Sequence, residues 1–410
     1  MTIPKSKYKR RQSVDQSVYE LALDRIRRLY ALHDTIIVSF SGGKDSTVVL
    51  NLTAQVAAEL GRLPVRVVSF DEEAIAYETE DYMRRCAQRP DLAFEWYCVP
   101  MKHRNACSNE ESWWYPWHPN DREKWVRPMP PEAITEIPGY DGVGNPSSIS
   151  DISCIISNNV SLGRVCWLLG IRADESITRC RAVLARTYDN YLIRVAQGDS
   201  WGSPSIPVLT PQYKAYPIYD WTTEDVWTAP AKFGWDYSSA YDLMEMIGVP
   251  AAQQRLSPPF GEQPMRGLYI WRECFPDIWD RLQMRVPGAA TGARYSRTEL
   301  YAAGDTISKP PDMSWEDYIA SLIARHPDEK VKRQTARKVR EAIRIHYRLT
   351  TDPIASKAYH PISGINWYSL AKLAERGDTK NRWSRKLIGD DPDVLARAWE
   401  KYRANLQEEE

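Results

Sequence analysis

The chain has 410 residues, and its 54 Lys and Arg are matched by 54 Asp and Glu, so its formal net charge is zero. Balanced charge gives no overall signal for a polyanion or a membrane surface, and no apolar run approaches the length of a membrane span. Sixteen Trp and 23 Tyr against six Phe suit wet interfaces and planar-ligand sites, or an aromatic-rich core, because both rings carry a polar tip.

The cysteines, Cys86, Cys98, Cys107, Cys154, Cys166, Cys180 and Cys274, are odd in number and scattered. None forms a C-x-x-C pair, so neither a zinc ribbon nor an iron–sulfur cluster is indicated. The start, MTIPKSKYKRRQ, is a basic arm (residues 1–13) without the apolar stretch of a signal peptide. A soluble, reduced, cytoplasmic protein is expected.

From Val14 to Leu32 apolar residues recur at helical spacing. Thr35–Phe40 (TIIVSF) is a β-branched run typical of a buried parallel strand, with Ser39 near its end. Ser46–Leu60 predicts a helix that Gly61 stops. Pro64–Phe70 predicts a strand, Tyr77–Arg89 a helix and Leu92–Val99 a strand. Residues 101–150 break the rhythm with Pro, Trp and charge. Their Trp content argues against disorder, so an ordered insertion over the sheet edge or the active site is expected. The alternation resumes with a strand at Arg164–Gly170, a helix near Asp174–Ala185 and a last strand at Tyr213–Tyr219. Thr222 caps a helix with acidic residues in its first turn.

Such alternation means an α/β fold, a parallel twisted sheet flanked by helices. It is expected over residues 14–235, followed by a mainly helical region over 236–410. Loops are expected at SPPFGEQP and VPGAATGARYS, and residues 328–348 read as a basic helix.

The chemistry concentrates at Ser41-Gly42-Gly43-Lys44-Asp45-Ser46, between the first strand and the next helix. Glycines let backbone N–H groups approach an anion, and a helix N-terminus adds the positive end of its dipole. Ser41 and Ser46 add hydroxyls and Lys44 a cation. The pattern G-x-x-x-x-G-K-[ST] of the Walker A loop is absent.

TIIVSFSGGKDSTVVLNL resembles the PP-loop of the ATP pyrophosphatase superfamily, whose fold is that of the adenine nucleotide alpha hydrolases. The resemblance implies binding of ATP or of phosphoadenylyl sulfate (PAPS), with Mg2+ on the phosphates and with Lys44 and Asp45 as candidate catalytic groups. Leu168–Arg179 (LLGIRADESITR) is similar to the G-x-R-x-x-E-S-x-x-R segment of PAPS reductases. It implies that Arg172 and Arg179 meet the nucleotide's anionic groups, with Glu175 and Ser176 opening the following helix. Tyr216–Trp227 is similar to that family's P-x-x-x-W-x-x-x-D-V-W segment and is read as architectural. Asp71 follows the second strand, where ligands of open sheets lie. It reads either as a ribose or metal contact or as a cap.

The chain departs from the reductases in lacking the E-C-G-x-H tail whose Cys attacks sulfur, and this puts a thiol-dependent reaction in doubt. Cys154 and Cys274 remain candidate nucleophiles, with inert buried thiols as the commoner case. Residues Arg104–Pro130, Gly261–Trp279, Arg285–Tyr295 and Ile365–Leu387 resemble the long PAPS-reductase-like proteins of bacteria and phages, the immunoglobulin-binding regulator A (IbrA) type. Those proteins are commonly paired with a ParB/sulfiredoxin-like partner.

Two functions follow. One is an enzyme that splits ATP into AMP and pyrophosphate, with a reductase or sulfur transferase as its variant. The other is a regulatory or DNA-modification module, to which Lys330, Lys332, Arg333, Arg337, Lys338, Arg340, Arg344 and the arm Lys5–Arg11 would bring DNA.

Overall fold

The computed structural model describes residues 16–108, 110–160, 163–175, 179–180, 183, 191–195, 206–258, 260, 267–295, 307, 309–377, 383, 385–386 and 392–407. They fall into two compact units, Met1–Arg297 and Thr298–Glu410. Residues 236–297, assigned from sequence to the C-terminal region, therefore belong to the first unit.

A six-stranded sheet forms the first unit's centre. Its strands are β1 (Thr35–Ser39), β2 (Val65–Phe70), β3 (Leu92–Tyr97), β6 (Val165–Leu168), β7 (Leu192–Val195) and β8 (Gln212–Ala215), in the order β3-β2-β1-β6-β8-β7. All neighbouring pairs are parallel except β7 with β8. The sheet is thus mostly parallel, and the last strand in sequence is not the edge. Strand alternation divides the core: Ile36, Val38, Val67 and Leu168 face one apolar cluster, and Ile37, Val68, Phe70 and Trp167 face another. Burial on both faces is why these strands read as continuous apolar runs.

Helices α1 (Val18–Leu32), α2 (Lys44–Glu59) and α3 (Tyr77–Ala87) supply the first cluster. Ser17 and Glu20 form a capping box at the start of α1, which satisfies orphan N–H groups there; Val14 lies outside the described residues. The opposite face is covered by α4 (Ile149–Asn158) through Ile152, Ile155 and Ile156. This helix was not read from the sequence, although Ser148 and Asp151 form a capping box before its apolar stripe. The helix expected near Asp174–Ala185 lies largely outside the described residues.

The insertion is ordered, as its Trp content predicts. Its two short strands, β4 (His103–Arg104) and β5 (Trp113–Trp114), pair antiparallel, and Ile134 returns to bond with Trp96 and Cys98 beside β3. Trp114 and Trp117 are buried, whereas Trp113 is exposed. Helices α5 (Thr223–Phe233), α6 (Ala240–Met246), α7 (Leu268–Cys274), α8 (Pro276–Arg285) and α9 (Ala289–Tyr295) follow. Thr222 caps α5 as expected, in a capping box with Asp225. The α9 helix corrects the loop expected at VPGAATGARYS. Helices α6 to α9 share a core with Trp114, Val126 and the turn residues Ala74 and Ala76.

Charge, not only apolar surface, fastens the insertion. Arg127 pairs with Asp71, and with Glu80 at 3.0 Å. Arg285 pairs with Glu73 at 2.9 Å and donates to the Tyr115 carbonyl. The Trp117 amide and the Val126 amide donate to the Glu73 carboxylate, and the Trp96 indole donates to Asp71. All five ionic groups are buried. Removing one partner leaves an uncompensated buried charge, which costs far more than a surface pair. Arg127→Met is therefore expected to lower unfolding free energy by about 3–5 kcal/mol. Urea unfolding checks this, and a loss below about 1 kcal/mol, the scale of an exposed pair, would contradict the lattice's role.

The second unit is helical: α10 (Trp315–Ala324), α11 (Glu329–Leu349), α12 (Trp367–Arg376) and α13 (Pro392–Gln407). Its core includes Ile319, Leu322, Val339, Ala342, Leu370 and Leu373. The basic helix expected at 328–348 is α11, capped by Asp328.

Candidate functional site

The loop between β1 and α2 has the conformation that its glycines predict. Gly42 lies at φ +71, in the left-handed region, and a Cβ there would meet Thr79 Cγ2 at 2.7 Å. Gly43 is the N-cap of α2 and supplies no side-chain cap. Among the described residues, no protein acceptor takes the N–H groups of Gly42 or Gly43. With the first-turn amides of Asp45 and Ser46 they lie at a helix N-terminus, an arrangement of donors that can receive an anion. Ser41 Oγ and Ser46 Oγ lie 3.2 Å apart, and Ser46 donates to the Gly43 carbonyl.

Lys44 is buried. Its Nζ donates to the Gln254 carbonyl at 2.8 Å, its amide donates to the Tyr241 hydroxyl at 2.9 Å, and the Tyr241 ring lies under the ammonium. Burial lowers the Lys44 pKa, with Asp45 opposing.

The segment after β6 meets α2 at backbone distance. A Cβ on Gly170 would lie 2.7 Å from the Asp45 carbonyl carbon and 2.8 Å from the Ser46 nitrogen. Two residues on, buried Arg172 donates through Nε to the Asp45 carboxylate and lies 3.6 Å from Asp174. Glu175 pairs with Arg179 and sits 3.6 Å from Arg255. The charges of Arg172, Arg255 and Arg179 all lower the Lys44 pKa. Four cations therefore crowd this end of the loop against three carboxylates.

The sequence-predicted residues thus divide. Ser41, Gly42, Gly43, Lys44, Asp45, Ser46, Arg172, Glu175 and Arg179 come together, with Ser39 at the end of β1; Ser176 lies outside the described residues. Asp71 is at the expected strand end, but its side chain has no exposure and is taken by Arg127, Trp96 and Trp117. A ribose or metal contact there would first have to unpair a buried Arg. Asp71 also accepts the Glu73 amide in a local turn and does not cap α3, whose N-cap is Ala76. Arg255 joins the cluster from a stretch, AAQQRLS, that carries no recognisable signal.

Beside Asp71, Glu72 lies 3.4 Å from His103 Nδ1. Burial, helped by the Asp71 charge, pushes the Glu72 carboxyl up to about 8, although 23% of the side chain stays exposed. Burial pushes His103 down to about 4. Both shifts favour the uncharged form of the group. Burial raises the Cys154 thiol and pushes Cys274 up to about 11, shifts that disfavour the thiolate. Among the described residues, no three His, Cys, Asp or Glu gather as metal ligands, and no helix is long and apolar enough to cross a membrane.

A mostly parallel sheet with a glycine-rich anion cradle and Arg from the neighbouring strand defines a PP-loop nucleotide-binding domain. Residues 35–243 match the phosphoadenosine phosphosulfate reductase domain, and residues 248–359 match a domain of unknown function, DUF3440. The chain belongs to the phosphoadenosine phosphosulfate reductase domain family. The uncharacterized protein YbdN of Escherichia coli (strain K12) is 30% identical over 319 residues, 76% of each chain. Among solved structures, the FMN adenylyltransferase of Candida glabrata with FAD and inorganic pyrophosphate is 11% identical. It covers 57% of this chain and 64% of its own, with a TM-score of 0.32. The PAPS reductase of Candida auris, a phosphate complex, is 13% identical over 56% of this chain and 85% of its own, with a TM-score of 0.30. The chain spans less than two thirds of the adenylyltransferase, and overlays at these scores carry no argument.

Two outcomes are expected from this geometry. Gly170→Ala forces the start of α2 to shift, because its Cβ meets backbone and not a flexible side chain. Nucleotide affinity measured by calorimetry should fall at least about tenfold, or ~1.4 kcal/mol, with the circular dichroism spectrum retained; unaltered affinity would show that the approach is not limiting. For Glu72 the folded pKa is raised, so the folded state holds a proton that the unfolded chain releases above about pH 4. The stability this gives is complete below that value and is lost as pH rises towards about 8. Glu72→Gln should flatten that decline in urea-unfolding profiles between these limits, and an unchanged profile would exclude Glu72 as its source.

Proposed function

We propose that this chain is a nucleotide-processing enzyme that binds ATP, or a sulfonucleotide, with its phosphates on residues 41–46. The observation that carries the reading is the pair of N–H groups at Gly42 and Gly43, which no acceptor among the described residues takes, set at a helix N-terminus among Lys44, Arg172, Arg179 and Arg255. Such a cradle fits a chain of phosphate oxygens. Arg suits the role because its planar fork pairs two oxygens at once.

The reaction we infer is attack on the α-phosphorus of ATP by an oxygen of water, giving AMP, or of an acceptor, giving its adenylate, with the oxygen's proton passing to solvent. A new P–O bond forms there, the bridging bond to the β-phosphate breaks, and its electron pair leaves with pyrophosphate. Lys44 and the loop amides stabilise the charge that develops on the leaving group. Asp45 holds Arg172 in place. Mg2+, when bound, would neutralise the phosphates. Within the family, we place the chain with the long IbrA-type proteins, on the resemblance of residues 104–130 and 365–387, and propose a ParB/sulfiredoxin-like protein as its partner.

The thiol-reductase variant has less support, since both candidate thiols are held protonated. Cys154→Ser and Cys274→Ser are expected to keep wild-type turnover; abolition in either, with an intact circular dichroism spectrum, would restore a thiol mechanism.

The main test separates products of α-labelled ATP, γ-labelled ATP and PAPS. AMP with pyrophosphate is expected, whereas ADP with phosphate, or sulfite, would each replace the proposed reaction. Lys44→Ala and Asp45→Ala should weaken ATP or PAPS binding by about 10- to 100-fold, the scale of one charge-assisted hydrogen bond. Equal affinity in both variants for both ligands would remove the loop from the site.

A further inference from the structure

Helix α11 carries eight Lys and Arg against two Glu. Their placement is more informative than their number. At 100° per residue, Lys330, Arg333, Arg337, Arg340, Arg344 and Arg348 fall within about 80° of arc and span ~27 Å of helix. All six are exposed. The buried residues Thr335, Val339, Ala342 and His346 occupy the opposite side. The stripe is therefore the outward face of a packed helix.

An ordinary solvated face mixes both signs, with carboxylates placed to pair the cations. Here Glu329 pairs with Lys332, outside the stripe, and Glu341 pairs with Arg344. Among the described residues, no carboxylate lies within ion-pair distance of Lys330, Arg337, Arg340 or Arg348. Five of the six are Arg, the side chain whose fork matches phosphate oxygens.

We propose that this face of α11 docks on the phosphate backbone of duplex DNA. A membrane surface fits less well, because an interfacial helix must insert an apolar face, and that face of α11 is already packed in the unit's core. Single strands fit less well, because their binders interleave aromatic platforms with charge, and the stripe is bordered by one exposed ring, Tyr347, near its C-terminal end. A B-form major groove admits a helix, whereas the narrow A-form groove of duplex RNA does not. Nothing in the stripe selects a sequence, since contacts to phosphate position a protein without reading bases.

The test is fluorescence anisotropy of the full chain with a duplex DNA of about 30 base pairs. Single-stranded DNA, duplex RNA and phosphatidylserine vesicles serve as the other arms. Six phosphate contacts give a log–log salt slope of about −5, so affinity should fall about a thousandfold between roughly 50 and 200 mM salt. Arg337→Ala/Arg340→Ala/Arg344→Ala should reduce the slope to about −3, and alanine at these exposed positions preserves the helix. The control Arg397→Ala/Lys401→Ala/Arg403→Ala removes equal charge from exposed positions of α13 and should leave the slope unchanged. No duplex binding at low salt, an equal loss in the control, or preference for another arm would each overturn the proposal. ATP affinity of the stripe variant, measured in parallel, keeps this outcome separate from that of the nucleotide site.

Discussion

The first unit turns on one approach of backbone to backbone, Gly170 against the start of α2. Parallel pairing of β1 with β6 brings the two strand ends level, Thr35 with Val165 and Val38 with Leu168. The segment leaving β6 must then pass the first turn of α2, and only a residue without Cβ passes at that distance. Once it has passed, Arg172 falls beside Asp45 and the pair fixes both segments. The glycine pair of the loop, the capless start of α2 and the Arg two residues beyond Gly170 are thus one construction. Its consequence is electrostatic: cations and amide dipoles converge where the protein offers few acceptors of its own.

The converging donors are not all equal. Tyr241 and Gln254 already satisfy the amide and ammonium of Lys44, whereas the glycine amides have no protein acceptor among the described residues. A phosphate at the proposed site would therefore meet donors at Gly42 and Gly43 that no described residue takes, and a competed one at Lys44. Burial has lowered the Lys44 pKa, and an anion at the cradle would oppose that shift by favouring the charged ammonium. Ligand charge and Lys44 charge thus support each other, which makes this Lys more than a counter-ion to Asp45.

Much of this was legible in the sequence because its determinants are local. The β-branched run of β1, the S-G-G-K-D-S loop and the Thr222 cap each lie within a few residues of what they specify. What was not legible depends on distance along the chain. Asp71 was placed correctly at a strand end, but its partner Arg127 lies 56 residues on, and no spacing rule connects them. Arg255 reaches the loop from a polar stretch without pattern. Strand β7 was missed because four residues give too short a run to separate from a loop. The α4 helix has local signals, a capping box and an Ile stripe, that the Pro-rich stretch before it masks. The α9 helix was read as a loop because Gly and Pro dominate VPGAATGARYS, yet Ala289 and Ala293 pack in a core that outweighs propensity.

Zero net charge is the least informative number the sequence offers, because the charges are sorted. At the end of β2, three buried carboxylates meet two buried Arg residues, and Glu80 also takes Arg84 at 2.8 Å from the half-exposed rim, so insertion and sheet are joined by ion pairs. At the loop, four cations face three carboxylates, and the excess is left for a ligand. Along α11 the imbalance is larger and wholly outward. A buried pair needs its partner within the protein to offset desolvation, whereas an exposed cation needs none and is tolerated alone. That asymmetry is why each buried Arg of the lattice has a carboxylate partner, while the six-residue stripe of α11 carries its excess charge on exposed positions.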